Sequence, residues 1–148
     1  MKKLLLLALL PLCAAGLRAE DTKPETTKPA KGGEDLHGLM KKIAKDFGPL
    51  AKSVDDVAKI DANRKLAKEL AELADKCAAL VPASATKVPA ADREKFVEGY
   101  KAEIAKLSEA FKKIDAALEK KDFAAAKAAV VEAGALKKED HPKYIKKK

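Results

Sequence analysis

The chain has 148 residues, and its 31 Lys and Arg exceed its 23 Asp and Glu, which gives a formal net charge of +8. Basic and acidic residues are interspersed, as on a solvated helix surface, and only the last three lysines approach the clustered basic face that nucleic-acid binding favours. We therefore do not expect a nucleic-acid partner.

The first 19 residues have the layout of a secretory signal peptide. Lys2 and Lys3 precede an apolar run from Leu4 to Leu12, and small residues follow it up to Ala19. The apolar run is too short to cross a bilayer as a helix of the mature protein. We expect cleavage near Ala19, export to the periplasm and no membrane insertion of the mature chain.

Cys13 offers an alternative interpretation of this segment, as the lipid-attachment site of a lipoprotein. The preceding Leu10-Pro11-Leu12 puts a bulky Leu where lipid-modification signals want a small residue, so we prefer the cleaved signal peptide. Cleavage would remove three basic residues and lower the net charge from +8 to +5. It would also leave Cys77 as the only cysteine, so that no disulfide could form within the chain.

A polar segment separates the predicted signal peptide from the rest of the chain. Residues 20–33 (EDTKPETTKPAKGG) are rich in Lys, Thr, Pro and Gly and contain almost nothing that could be buried. Ordering such a segment would cost conformational entropy without a compensating gain, so we predict a flexible linker. The helical domain is expected over residues 34–148.

Apolar residues spaced by three and four predict amphipathic helices in this domain. The first helix is predicted over residues 34–59, and Pro49 is expected to interrupt it with a kink near Lys45, because proline lacks the amide hydrogen. The second helix begins with Asp61 as its N-cap and ends at Val81-Pro82. Together these two helices form a predicted hairpin.

A second hairpin is predicted in the remainder of the chain. Its first helix covers about residues 90–120, and Asp122 is the N-cap of the last helix, which ends near Asp140. The loop from Pro82 to Pro89 separates the two hairpins, and the short links within each hairpin favour antiparallel neighbours. No stretch shows the period-two alternation of a strand. The sequence therefore predicts an all-α fold, a monomeric antiparallel up-down-up-down four-helix bundle.

Met40 and His141 point to a function for this bundle. Met40 lies near the start of the first helix and His141 at the end of the last, and these two ends meet in an up-down-up-down bundle. Phe96 and Tyr100, near the start of the third helix, belong to the same end layer. A thioether and an imidazole on opposite faces of a porphyrin leave iron no open position, which suits electron transfer. No Cys-x-x-Cys-His motif is present, so the expected cofactor is a non-covalently held haem b.

Each of these residue types also has an ordinary structural explanation. Met40 alone would be interpreted as core filler, and His141 alone, near a charged terminus, as a surface residue. His37 is more typical of a surface position, and it is a second candidate ligand if Met40 points elsewhere. Cys77 falls on the apolar stripe of the second helix and is interpreted as a small core residue.

Three local motifs resemble the cytochrome b562 family of soluble four-helix b-type haem proteins. Asp35-Leu36 followed by Met40 resembles the opening of the family, in which the methionine is an axial ligand. The run KFVEGY, residues 95–100, resembles the start of its third helix, whose two aromatic residues pack on the haem. His141-Pro142-Lys143-Tyr144 resembles its terminal His-x-Lys-Tyr, in which the histidine is the other ligand. The resemblance covers residues 34–144.

The chain departs from the family at two positions. Pro142 disfavours the helical conformation for His141 and removes a backbone hydrogen bond, so we expect the last helix to end there. Ile145 stands where the family usually has an Arg, a candidate partner of a haem propionate. A lysine is the expected substitute for that arginine: Lys137, Lys143 or Lys146.

The resemblance implies an exported b-type cytochrome that passes single electrons to unidentified redox partner proteins, with Met40 and His141 as axial ligands. Pro142 and the missing arginine motivate an alternative, a haem-free exported binding or structural bundle derived from a cytochrome ancestor. An enzyme is disfavoured, because two histidines and one mature cysteine do not supply a zinc or Cys-His site. The Glu34-x-x-His37 motif has no second copy, which a di-iron bundle would need.

Overall fold

Four α-helices follow the apolar stripes of the sequence. They are α1 (Leu36–Ser53), α2 (Ile60–Ala78), α3 (Ala90–Glu119) and α4 (Phe123–Tyr144). A short 3-10 helix (Val57–Lys59) leads into α2, and another (Ala83–Lys87), here called the connecting 3-10 helix, lies between α2 and α3. Residues 35–144 contain no strand. The all-α prediction is confirmed.

The computed structural model describes the backbone of residues 35–144 and the side chains of residues 35–138 and 144. The predicted signal peptide (1–19) and linker (20–33) lie outside the described residues, and they stay predictions. The same holds for the chain after Tyr144, which includes Ile145 and Lys146.

Contacts between helix ends show that successive helices are antiparallel. At one end of the bundle, Asn63 near the start of α2 donates from Nδ2 to the carbonyl of Ser53, the last residue of α1, over 2.6 Å. At the other end, the ring of Tyr144 at the end of α4 packs on Phe96 near the start of α3. The predicted up-down-up-down bundle is therefore confirmed.

The predicted end of the first helix is wrong. α1 ends at Ser53 rather than at residue 59, because the chain turns at Ser53 and Asp56 then caps the short 3-10 helix by accepting from the Ala58 amide over 3.0 Å. Pro49 does not interrupt α1, which continues through it. Pro49 has no amide hydrogen to donate to the Lys45 carbonyl. Both residues are exposed, so water can donate a hydrogen bond to that carbonyl instead. The kink near Lys45 stays a prediction.

The two N-cap predictions have opposite outcomes. Lys59, not Asp61, is the N-cap residue of α2, because the preceding 3-10 helix runs directly into α2 and places Asp61 inside the first turn. The Asp122 prediction is confirmed, since its carboxylate accepts from the Ala125 amide over 2.9 Å. α2 ends at Ala78, a few residues before the predicted Val81-Pro82.

These caps give a matched pair of variants. We expect Asp122→Ala to lower the free energy of unfolding by about 1 kcal/mol, because it leaves helix-terminal amides without their side-chain acceptor. Asp61→Ala removes only a charge near a helix N-terminus and should cost about 0.5 kcal/mol or less. Urea unfolding of both variants measures the difference, and a larger loss for Asp61→Ala would contradict the observed cap geometry.

The last helix extends further than predicted. α4 does not end near Asp140 but continues through His141 and Pro142 to Tyr144. Pro142 has no amide hydrogen for the Lys138 carbonyl, so contacts elsewhere must support the last turn. Those contacts lie at Tyr144 and are described with the candidate site.

The core combines large side chains on α1, α2 and α3 with small ones on α4. Its largest fully buried members are Tyr100, Phe111, Leu50, Leu70, Ile114 and Leu118. On α4 the buried side chains are Ala126, Ala129 and Ala133, which let that helix approach α3 closely. Cys77 is also fully buried, as expected for a core residue.

Candidate functional site

Three rings meet at the end of the bundle where α3 begins and α4 ends. The ring centroid of Tyr144 lies 5.1 Å from that of Phe96 and 5.4 Å from that of Tyr100. Both contacts are tilted or edge-on, the arrangement that aromatic pairs prefer. We call these three residues the aromatic cluster. Phe96 and Tyr100 therefore belong to one cluster, as their spacing on one helix predicts. The ring that joins them, Tyr144, was not predicted as a site residue.

Tyr100 ties the aromatic cluster to α2. Its hydroxyl donates to the carbonyl of Cys77 over 3.0 Å, and its side chain is only 2% exposed. Burial raises the pKa of the Cys77 thiol to about 11. Burial, and then the nearby Cys77, raise the pKa of the Tyr100 hydroxyl above its ordinary value. Both groups therefore stay neutral near pH 7.

The raised pKa values predict a loss of stability in alkaline solution. The unfolded chain releases the Cys77 proton near pH 9, whereas the folded chain keeps it until about pH 11. Stability is therefore complete below pH 9 and falls as the pH rises, by roughly 2 kcal/mol for Cys77 alone between pH 8 and 10.5. Urea unfolding at these two pH values checks this. A Cys77→Ala variant should show a shallower fall, and an equally steep one would contradict the assignment.

Met40 is half-buried on α1 and packs against the core. It lies seven residues, about two helical turns, before Phe47, so the two residues share one side of α1. Phe47 contacts α3, with its ring centroid 5.8 Å from that of Phe111. Ile104 lies seven residues before Phe111. Because α1 and α3 run in the same direction, Met40 lies at about the height of Ile104 along the bundle.

The height of residue 141 follows from a contact between α3 and α4. Lys113 Nζ lies 2.8 Å from Glu132 Oε1. His141 lies nine residues after Glu132, and Ile104 lies nine residues before Lys113. Because α3 and α4 are antiparallel, the backbone of His141 also lies at about the height of Ile104. The side chain of His141 is outside the described residues.

A contact near the opposite end of the bundle gives the same alignment directly between α1 and α4. Lys127 Nζ lies 2.6 Å from Asp55 Oδ2, just beyond the end of α1. Met40 lies fifteen residues before Asp55, and His141 lies fourteen residues after Lys127. Two independent sets of contacts therefore place Met40 and the backbone of His141 at about the same height.

The boundary between α1 and α4, here called the α1–α4 seam, is less tightly packed than the boundaries between consecutive helices. Ala44, one turn after Met40, is exposed. On α4, a Cβ atom added at Gly134 would meet no atom within 4 Å. Gly134 lies seven residues before His141 and therefore on the same side of α4. The seam thus has space about two helical turns from the level of Met40, near the level of Phe47.

The remaining predicted residues have simpler positions. His37 and Lys137 are both exposed, so His37 has the surface position expected of it. The structure describes no contact between Lys137 and the aromatic cluster. No cluster of three or more His, Cys, Asp or Glu side chains that could hold a metal ion occurs among the side chains described. Within that same part of the chain, no helix is long and apolar enough to span a bilayer.

One contact at this end of the bundle was not predicted. The hydroxyl of Ser84, in the connecting 3-10 helix, donates to the backbone carbonyl of Tyr144 over 2.6 Å. A serine in a loop carries no periodic signal, and only the fold brings it to residue 144, sixty positions away. Tyr144 itself stands in the terminal motif, where its ring could have been added to the predicted layer.

Comparison with known families gives an identity to this arrangement. A family model described as cytochrome b562 matches residues 35–145, which is most of the chain. No curated protein and no solved structure matches the chain significantly. The matched range includes all four helices, the aromatic cluster and both predicted ligand positions. The chain therefore belongs to the cytochrome b562 family, a family of haem-binding electron carriers.

Proposed function

We propose that this protein carries single electrons on one non-covalently bound haem b, with Met40 and His141 as the axial ligands of its iron. The observation that supports this most directly is the common height of Met40 and residue 141 on α1 and α4. These helices border the α1–α4 seam, so the backbone positions of the two residues lie on opposite sides of that seam. We further propose that the protein acts in the periplasm, after removal of residues 1–19.

The residues present fit a haem at the α1–α4 seam. Met40 offers a thioether next to the core, and space lies about two turns away along the seam, beside Gly134 on the opposite helix. A planar group cannot lie between the rings of the aromatic cluster, because they are in direct contact with one another. The cluster would instead border the bound group and exclude water from that end of the bundle.

Each proposed site residue has a distinct part in the mechanism. The bound haem would supply the ferric–ferrous couple that accepts and releases one electron. Met40 and His141 would both hold the iron of the haem, so that no small molecule could bind to it. The soft thioether of Met40 would favour the reduced state of the iron and would thereby raise its reduction potential. Lys137 is exposed near residue 141 and would pair with a propionate in place of the family's arginine.

One of the two observations that support the haem-free alternative is removed by the structure. The predicted end of helix 4 at His141 does not occur, since α4 continues through Pro142 to Tyr144. The ligand position therefore lies in a helical turn. The other observation, Ile145 in place of the family's arginine, still supports this alternative.

Haem uptake by the purified protein tests the proposal. The full chain is expressed, purified without haem and titrated with ferric haem. We expect saturation at one haem per chain and the absorption spectrum of a low-spin, six-coordinate iron in both oxidation states. A chain that stays colourless after gel filtration would contradict the proposal and favour the haem-free alternative.

Export is tested separately, by the mass of the protein recovered from the periplasmic fraction. We expect a chain that begins at Glu20. Uncleaved protein in the cytoplasmic fraction would contradict export, whereas the haem proposal is decided by the titration alone.

The haem titration has two controls for non-specific haem uptake. One is serum albumin, and the other is a variant of this protein that carries both Met40→Ala and His141→Ala and is purified without haem.

A further inference from the structure

The last turn of α4 is held by contacts that converge on one residue. The Ser84 hydroxyl donates to the Tyr144 carbonyl over 2.6 Å, and the Tyr144 ring packs on Phe96 and Tyr100. A Cβ atom added at Gly99 would come within 3.1 Å of the Tyr144 hydroxyl oxygen, closer than ordinary van der Waals contact. Because Gly99 has no side chain, the Tyr144 hydroxyl can lie close to α3 at this position.

The segment that carries Ser84 is itself anchored to α3. Arg93 donates from Nε to the Ala85 carbonyl over 3.1 Å and from Nη2 to the Val88 carbonyl over 3.3 Å. Ala85 is also buried. Ser84 therefore lies in a segment that is hydrogen-bonded to α3. Its own hydrogen bond to Tyr144 restrains the end of α4 relative to α3.

The last turn of α4 needs such a restraint. Pro142 cannot donate a hydrogen bond to the Lys138 carbonyl, so the helix is weakened just after position 141. Tyr144 lies three residues after His141, within the same turn. A ring contact or a hydrogen bond at Tyr144 therefore offsets, in that turn, the bond that Pro142 removes.

We propose that Ser84 and Tyr144 form a clasp that holds the last turn of α4 and thereby sets the position of His141 as a haem ligand. The ligand part of this inference rests on the proposed function. Ser84 and Tyr144 are positioning residues, because they act through the backbone of α4. Thr86 gives a matched control: it lies in the same connecting 3-10 helix, but its hydroxyl donates to Ala83 and not to α4.

Amide hydrogen exchange in the haem-free protein tests the clasp itself. NMR measures the exchange of the amides of Asp140, His141 and Lys143 in the full chain. We expect exchange to be at least about tenfold faster in Tyr144→Leu and about threefold faster or more in Ser84→Ala. Thr86→Ala should stay within about twofold of wild type. Unchanged exchange in both Tyr144→Leu and Ser84→Ala would overturn the clasp, whether or not haem binds.

The coordination state of the haem-loaded variants tests the link to His141. We expect Tyr144→Leu and Ser84→Ala to have a smaller low-spin fraction and to release haem to apomyoglobin about tenfold faster than wild type. Thr86→Ala should match wild type. Faster amide exchange with unaltered coordination would overturn the positioning role. A wild-type chain that takes up no haem would overturn the proposed function and the ligand role together, while the exchange result would still decide the clasp.

Discussion

A Met40→Ala variant loaded with haem is expected to show a five-coordinate or water-ligated iron in place of the low-spin, six-coordinate form. Alanine offers no donor atom, and the other partly buried residues near Met40 on this side of α1, Leu36 and Phe47, are apolar. We expect haem affinity to fall at least about tenfold, which corresponds to about 1.4 kcal/mol. Optical spectra and competition with apomyoglobin measure the two effects.

Two controls make the Met40 result specific. Leu36→Ala removes a partly buried apolar side chain one turn away and should leave the coordination unchanged. His37→Ala removes the second candidate ligand and should also have no effect. If His37→Ala abolishes the low-spin form and Met40→Ala does not, the ligand on α1 is His37 and our assignment is wrong. Met40 is the only methionine after the predicted signal peptide, so its methyl NMR signal is unambiguous.

Replacing Phe111 by alanine is expected to lower the free energy of unfolding by about 3–5 kcal/mol. Phe111 is only 1% exposed, and its ring contacts Phe47 across α1 and α3. The substitution would leave a cavity at the point where these two helices meet. Urea or thermal unfolding measures the loss. Phe111→Leu, which fills most of the cavity, should cost about 1.5 kcal/mol or less and keeps the test possible if the alanine variant does not fold.

Phe123→Ala is the matched control for Phe111→Ala. Phe123 is the first residue of α4 and is only partly buried, so its removal exposes less apolar surface and leaves no enclosed cavity. We expect a loss of about 1–2 kcal/mol. Equal losses for the two variants would contradict the position of Phe111 at the centre of the core.

The helices are well predicted by the sequence because each of them buries one apolar stripe. The stripe of α1 includes Ile43 and Leu50, and that of α3 includes Ile104 and Ile114; all four are buried. Such spacing is a property of a single helix and needs no knowledge of its neighbours. The antiparallel arrangement then follows from the short links within each hairpin.

The errors in the helix ends have two causes, an unpredicted 3-10 helix next to α2 and contacts of α4 with residues distant in sequence. Asp61 is a good capping residue in isolation, but the 3-10 helix before it already has helical geometry and moves the start of α2 to Ile60. Pro142 is a helix breaker in isolation, yet α4 continues to Tyr144, whose contacts with Ser84 and with two rings of α3 lie far away in sequence. Local propensity is a weak guide wherever such tertiary contacts compete with it.

The candidate site also has features that the sequence predicts and features that depend on contacts between helices. Met40, Phe96 and Tyr100 can be placed near one end from their positions along predicted helices, and the observed cross-helix contacts refine this by putting Met40 about one turn deeper than Tyr100. The small side chains of the last helix favour space along it, but where that space lies depends on the packing of the neighbouring helices.

The burial of Cys77 has a consequence for the chemistry of the folded chain under oxidising conditions. Thiolates, not thiols, attack other sulfur atoms, and Cys77 is both inaccessible and protonated near pH 7. A folded molecule would therefore not form a disulfide with a second copy through Cys77. In a chain from which residues 1–19 have been removed, disulfide-linked dimers on a non-reducing gel would mark molecules that had unfolded, so that Cys77 would report unfolding.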